Sequence, residues 1–136
     1  MTYRAPLKSL ALALRTAGHP VLLSHGFPDL DEDTVSAVLE SAGAFAENEL
    51  APLNRKGDQE GARYENGRVT AAPGFADAYR SFVAQGWNSL SADPEFGGQG
   101  LTKAMELSVF EMVHAANMAF GLCPMLTQGA IEALTL

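Results

Sequence analysis

One long apolar segment, residues 101–118, most constrains how this chain can fold. Apolar side chains at Leu101, Met105, Met112 and Ala116 share one stripe of a helix, and other apolar residues fill most of the remaining surface. A helix that is apolar on nearly every side must be covered by other helices. The segment therefore predicts a central buried helix within an all-α fold, a helical bundle with orthogonal or irregular packing.

A glycine-containing loop, DPEFGGQGL, leads into this helix. Asp-Pro starts a turn, and Gly97, Gly98 and Gly100 allow positive φ and close backbone approach. The third glycine of the dinucleotide-binding fingerprint is missing, and no Gly-Lys-Ser/Thr follows as in a P-loop. We therefore expect the glycines to form a tight turn that lets the loop pack, although the helix start near Thr102 could also favour an anion.

The N-terminal third of the chain predicts two helices. Leucines at helical spacing indicate a short amphipathic helix over about residues 7–14, which Gly18 and Pro20 should end. His19 and His25 are expected in the linker that follows, as surface loop residues. A clean apolar stripe then predicts a long helix over about residues 33–50, ended or kinked by the next proline.

The remaining pattern predicts a polar loop and two more helices. Residues 54–72 are polar and contain glycine, and their Asn66-Gly67 pair is a turn signal for a small hairpin. Apolar residues predict a helix over about 75–85. A last helix runs from about residue 119 to the end, with Pro124 either beginning its regular part or kinking it.

The composition excludes several classes of partner. The 136 residues carry a formal net charge of −7, which argues against nucleic acid and against an anionic membrane surface. No apolar run is long enough to span a membrane. The single cysteine, Cys123, fits a reducing compartment and predicts a cytoplasmic protein; its apolar surroundings favour a buried structural thiol.

Catalytic and metal-binding patterns are missing from the sequence. The carboxylates form no catalytic pair, and Glu106 and Glu111 on the central helix are expected to face water or a neighbouring domain. His114 is expected to be an interior or interfacial histidine. No cluster of Cys, His and acidic residues has metal-ligand spacing, so we predict no metal site and no catalytic residue in this chain.

Four blocks, in order, resemble the N-terminal helical domain of the acyl-CoA dehydrogenase family. They are YRAPLKSL, DTVSAVLESAGAFAENELAPLNRKGDQEG, DPEFGGQGL and ANMAFGLCPMLTQGAIEAL. The resemblance implies that residues 1–30 form the N-terminal extension of one subgroup, with its short amphipathic helix. Residues 31–136 would be the helical domain itself, expected to be truncated because the last helix has no end signal.

This resemblance also implies a function. A complete enzyme of the family is FAD-dependent and removes the α- and β-hydrogens of an acyl-CoA thioester. Its catalytic base and most flavin contacts lie in a middle β domain and a C-terminal helical domain, which this sequence lacks, and a homo-oligomer is expected. By resemblance, Phe120, Pro124, Met125 and Gln128 lie along the acyl chain, whereas the residues alone favour an ordinary core for them.

Two other functions remain open from the residues. An acidic helical bundle can be a non-enzymatic interaction module that binds a partner through an apolar face. A small α-helical carrier of lipid chains is the third possibility. Either would have to leave an apolar surface unfilled within the bundle.

Overall fold

The computed structural model describes residues 3–27 and 30–135. Within them the chain is mostly helical, which confirms the predicted all-α class. The α-helices are α1 (Leu7–Thr16), α2 (His19–Gly26), α3 (Glu32–Phe45), α4 (Ala51–Glu60), α5 (Phe75–Ala84), α6 (Lys103–Ala116) and α7 (Met118–Leu134). A π-helical turn (Ala46–Leu50), two 3₁₀ turns (Trp87–Ser89 and Pro94–Phe96) and a hairpin, β1 (Arg63–Glu65) and β2 (Arg68–Thr70), complete the described elements.

Helix α6 is the centre of the bundle, as its apolar sequence predicts. It packs against α1, α3, the π turn and α7. Met105, Val109, Met112 and Val113 are at most 1% exposed. One side remains open, however, because Leu107 is 62% exposed. The central helix is therefore covered on every side except the one that carries Leu107.

The aromatic part of the core lies where α5 meets α6 and α7. Phe82 is fully buried, and its ring centroid lies 5.6 Å from that of Phe120 and 6.2 Å from that of Phe110, both in edge-to-face geometry. Tyr79 and Phe75 also contact Phe120. Such pairs add to the free energy of burying the rings. This cluster fixes the first turn of α7 against the rest of the bundle.

Pro52 does not end the long helix, and the polar stretch after it is partly helical. The π turn at Ala46–Leu50 lies just before it, so Pro52 falls in the first turn of α4, where its missing N–H is not needed. Helix α4 then continues to Glu60, so the loop expected over residues 54–72 begins only there. The hairpin predicted at Asn66-Gly67 is confirmed. Both residues have positive φ, 51° and 79°, and they form the turn between the paired strands β1 and β2.

The expectation that both N-terminal histidines are surface loop residues was wrong about the loop for both and wrong about the surface for His19. Both lie in α2. This helix starts after Gly18, which has a φ of 81°, and it contains Pro20 in its first turn. His25 is exposed as expected, but His19 is only 4% exposed, and its Nε2 lies 2.7 Å from Thr102 Oγ1 at the start of α6. Part of the predicted linker, residues 28–29, lies outside the described residues.

The glycine loop packs as predicted. The backbone N–H groups of Gln99, Gly100 and Leu101 donate to the carbonyls of residues 89, 92 and 90 at 2.8–3.0 Å. Gly98 lies so close to the Ala92 carbonyl that a Cβ there would overlap it. The loop therefore folds back on the segment that follows α5, and only glycine fits at the point of contact.

Candidate functional site

An open groove runs between α6 and α7 along the side of α6 that the bundle leaves uncovered. Its volume is about 570 Å³. The residues that line it come from one stripe of α6 and one stripe of α7. They are Lys103, Glu106, Leu107, Phe110, Glu111 and His114 on α6, and Met125, Gln128, Gly129 and Glu132 on α7. We call it the α6–α7 groove.

A single residue, Asn117, joins the two helices that form the groove. Its φ and ψ of −157° and 91° break the helical path between Ala116 and Met118. Its side-chain Oδ1 accepts a hydrogen bond from Phe120 N–H at 3.1 Å, which caps the start of α7. Its Nδ2 donates to the carbonyl of Leu50 in the π turn at 3.2 Å. Asn117 is 1% exposed, so these two buried hydrogen bonds join the start of α7 to the π turn.

A cluster of charges spans the far end of the groove. Lys103 Nζ lies 2.7 Å from Glu132 Oε2 on α7 and 3.2 Å from Glu106 Oε1 on α6. Glu106 is 4% exposed and also accepts a hydrogen bond from Ser91 Oγ. The hydrogen bond to Glu132, and more weakly the one to Glu106, raises the pKa of Lys103. This end is therefore bridged by a lysine that stays charged between two carboxylates.

The middle of the groove is apolar. Leu107 and Phe110 come from α6, and Met125 comes from α7 at 42% exposure. Gly129 adds no side chain on the α7 side, so the groove stays wide there. At the end near Asn117, the ring of His114 packs beside Phe110 with the ring centroids 5.8 Å apart.

The four residues singled out by resemblance separate into two pairs. Met125 and Gln128 line the groove, and Gln128 Nε2 donates to the carbonyl of Asn88 at 2.6 Å. Phe120 is 3% exposed in the aromatic core, and Pro124 is also fully buried, inside α7. In this structure the second pair supports the wall from behind and does not reach its open surface.

Several groove residues were not anticipated as site residues from the sequence. The groove is also lined by Leu107, Gly129 and the Lys103–Glu132 pair. The spacing of four residues between Lys103, Leu107 and Glu111 indicates that these three share one side of α6.

Cys123 was expected to be buried, but it is exposed on α7. An apolar run does not reveal which of its sides lacks a neighbour, and that side here carries Leu122 and Leu126, 47% and 73% exposed.

The glycine loop does not fit the pyrophosphate of a flavin. The N–H groups of residues 96–101 all donate to backbone carbonyls, so the glycine loop offers no free amides to a pyrophosphate. At the start of α6, Thr102 Oγ1 accepts from Met105 N–H at 3.2 Å and is covered by His19. At the helix start, the N–H group of Met105 is therefore already bonded within the protein.

The described part of the chain contains neither a metal-site cluster nor a helix suited to span a membrane. No group of three or more His, Cys, Asp or Glu side chains among those residues has the arrangement of a metal site. None of their helices combines the length and the apolar character that crossing a membrane requires.

A second cavity, of about 240 Å³, lies between α1, α2 and α3 and is lined by both apolar and charged side chains.

Comparison with known proteins agrees with the all-α fold. The sequence profile of a family described as "Acyl-CoA dehydrogenase, N-terminal domain" matches residues 32–135. The whole chain is 43% identical, over 138 aligned residues, to a protein of Ruegeria pomeroyi named 3-methylmercaptopropionyl-CoA dehydrogenase. The chain spans about a quarter of that relative's length, 24%.

Proposed function

We propose that this chain, which belongs to the acyl-CoA dehydrogenase family as its N-terminal domain, forms one wall of the acyl-binding site of a flavin-dependent dehydrogenase. The complete enzyme would remove the α- and β-hydrogens of an acyl-CoA thioester. The observation that carries the proposal is the α6–α7 groove, an open cleft of about 570 Å³ whose middle is apolar.

The groove has the chemistry that a hydrocarbon chain requires. Leu107, Phe110 and Met125 offer apolar surface, and each methylene buried against such surface contributes about 0.8 kcal/mol. A methionine side chain adapts to irregular ligands because it is unbranched. We assign Met125 and Gln128 to the surface that faces the acyl chain. Phe120 and Pro124 would act from behind, by holding α7 in place.

The remaining parts of the reaction belong to other polypeptide segments. FAD, when bound, would accept the hydride, and a carboxylate outside this chain would remove the α-proton. The residues of this chain would bind the acyl group, orient it and exclude water from it. We extend the proposal to a cytoplasmic homo-oligomer with middle and C-terminal domains, for which the family resemblance is the support.

A chimera tests the proposal. The segment of the R. pomeroyi relative that aligns with this chain is replaced by residues 1–136, and the purified protein is assayed for acyl-CoA-dependent reduction of an electron-accepting dye. Flavin absorbance reports whether the chimera has assembled, and the unmodified relative is the control. We expect a yellow chimera that oxidises acyl-CoA thioesters and an inactive isolated chain. A chimera that retains flavin but oxidises no acyl-CoA would refute the proposal.

A further inference from the structure

The α6–α7 groove stops short of Asn117, although the helix stripe that lines it on α7 continues. The lining residues of α7 begin at Met125 and recur every three or four positions as far as Glu132. Residues at that spacing share one side of a helix, so the next position of the stripe toward Asn117 is Gly121. Gly121 is buried and does not line the groove. Another group therefore covers this turn of the stripe.

The ring of His114 is that group. His114 lies in the last turn of α6 and is the groove-lining residue of that helix nearest to Asn117. A Cβ at residue 121 would overlap His114 Cδ2 and lie 2.7 Å from Nε2, and its three nearest atoms all belong to this ring. The ring thus occupies the space that a side chain at residue 121 would take, and it separates the groove from the backbone of Gly121.

The ring is held at this place by its shape. Its Nε2 is buried and has no hydrogen-bond partner among the described residues. On its other side the ring packs beside Phe110, with the ring centroids 5.8 Å apart. A ring carbon in place of Nε2 would therefore lose no hydrogen bond, and the ring acts at this position by filling space.

The two ends of the groove differ in what they offer an acyl chain. The far end carries the charges of Lys103, Glu106 and Glu132. A methyl terminus placed there would take charged groups out of water, which is unfavourable. The end closed by His114 offers the rings of His114 and Phe110. The apolar terminus of an acyl chain therefore belongs at the His114 end, with the thioester toward the charged end.

We propose that the His114 ring is the end wall of the α6–α7 groove and sets the longest acyl chain that the groove accepts. This inference rests on the proposed function, since it assumes that the acyl group occupies the groove. Without the ring, the groove would extend along α7 to the bare backbone of Gly121, by about one helical turn or about 5.4 Å. Each methylene that leaves water in this extension would raise kcat/KM about fourfold.

The placement of the ring is tested on this chain directly. Cδ2 is the ring atom nearest to the Cβ position of residue 121, so its proton should show a nuclear Overhauser effect to the α protons of Gly121. The ring signal of residue 114 is assigned by its loss in His114→Phe. Absence of the effect would overturn the inference, whatever the chimera does.

The limit on chain length is tested in the flavin-loaded chimera with even-numbered saturated acyl-CoA thioesters from butanoyl to dodecanoyl. The cut-off is the first thioester whose kcat/KM falls below that of its shorter neighbour. We expect His114→Ala to move the cut-off up by at least one member and to raise kcat/KM at the original cut-off about tenfold relative to the shorter neighbour. Taking this ratio cancels any loss of folded enzyme. His114→Val repeats the test with a second side chain that lacks a ring.

Three further variants show whether the ring is responsible. His114→Phe keeps a ring and should keep the native cut-off. Adding Gly121→Ala to His114→Ala puts a methyl group into the freed space and should move the cut-off back toward the native one. Met118→Ala, the matched control, shortens an exposed side chain in the first turn of α7 that does not line the groove, and should leave the cut-off unchanged.

The possible failures are distinguishable. If His114→Ala and His114→Val both leave the cut-off of an active chimera unchanged, or if adding Gly121→Ala does not move it back, the inference fails while the proposed function stands. A flavin-loaded chimera that is inactive on every thioester refutes the proposed function, and the inference falls with it.

Discussion

Replacing Asn117 is the sharpest test of how the two walls of the groove are joined. In Asn117→Ala the cap on Phe120 N–H is lost, which costs about 1 kcal/mol. The Leu50 carbonyl, bonded in the native chain by Nδ2 at 3.2 Å, loses its side-chain donor in a buried site, which costs about 1–3 kcal/mol. The free energy of unfolding should therefore fall by about 2–4 kcal/mol.

Asn117→Ser separates the two contributions. Serine is a good N-cap, so the bond to Phe120 N–H should survive, but its hydroxyl is too short to cap α7 and reach the Leu50 carbonyl as well. Its cost should therefore be about 1–3 kcal/mol, less than that of alanine. Urea unfolding gives both values, provided that the slope with denaturant stays constant. If serine and alanine were equally costly, or if alanine cost under about 0.5 kcal/mol, the joint would not work as described.

Three further predictions follow from single contacts. Burial lowers the pKa of His19, so the folded chain favours the neutral ring. The resulting stability is fully present above the unfolded pKa of about 6.5 and is lost as the pH falls below it. The decrease in unfolding free energy between about pH 7.5 and about pH 5.5 should therefore be smaller in His19→Gln than in the native chain. Gly98→Ala should lower the thermal midpoint more than Gly97→Ala, because only the first places a Cβ against backbone; equal losses would contradict the packing of the loop. Glu106→Gln should cost more unfolding free energy than Glu132→Gln, whose partly exposed pair is worth at most about 1 kcal/mol; the reverse order would contradict the buried role of Glu106.

The sequence predicts those parts of the fold that depend on local pattern. The uniform apolarity of residues 101–118 predicts α6, and the Asn66-Gly67 pair predicts the hairpin, because both signals arise within a few residues. His19 was misplaced because its burial depends on Thr102, which is 83 residues away. Helix α4 was not predicted because its sequence is polar and follows Pro52. The π turn before it places Pro52 in the first turn of α4, and a π turn has no sequence signal of its own.

The groove was only partly predictable for a related reason. A helix that is apolar all round shows that most sides are covered, but it does not show which side is left open. Leu107 lines the groove because no other element covers that side of α6. Five positions along a helix correspond to a rotation of about 140°, so Phe120 faces the core while Met125 faces outward.

If an acyl chain lies in the α6–α7 groove, a side chain that fills the groove must weaken its binding. Met125→Trp in the flavin-loaded chimera occupies the apolar middle of the groove. Met118→Trp is the matched control, since Met118 is similarly exposed on α7, 55% against 42%, but does not line the groove. We expect Met125→Trp to reduce kcat/KM for long acyl chains much more than for short ones, and Met118→Trp to leave the chain-length profile unchanged. Identical profiles for the two variants would contradict the claim.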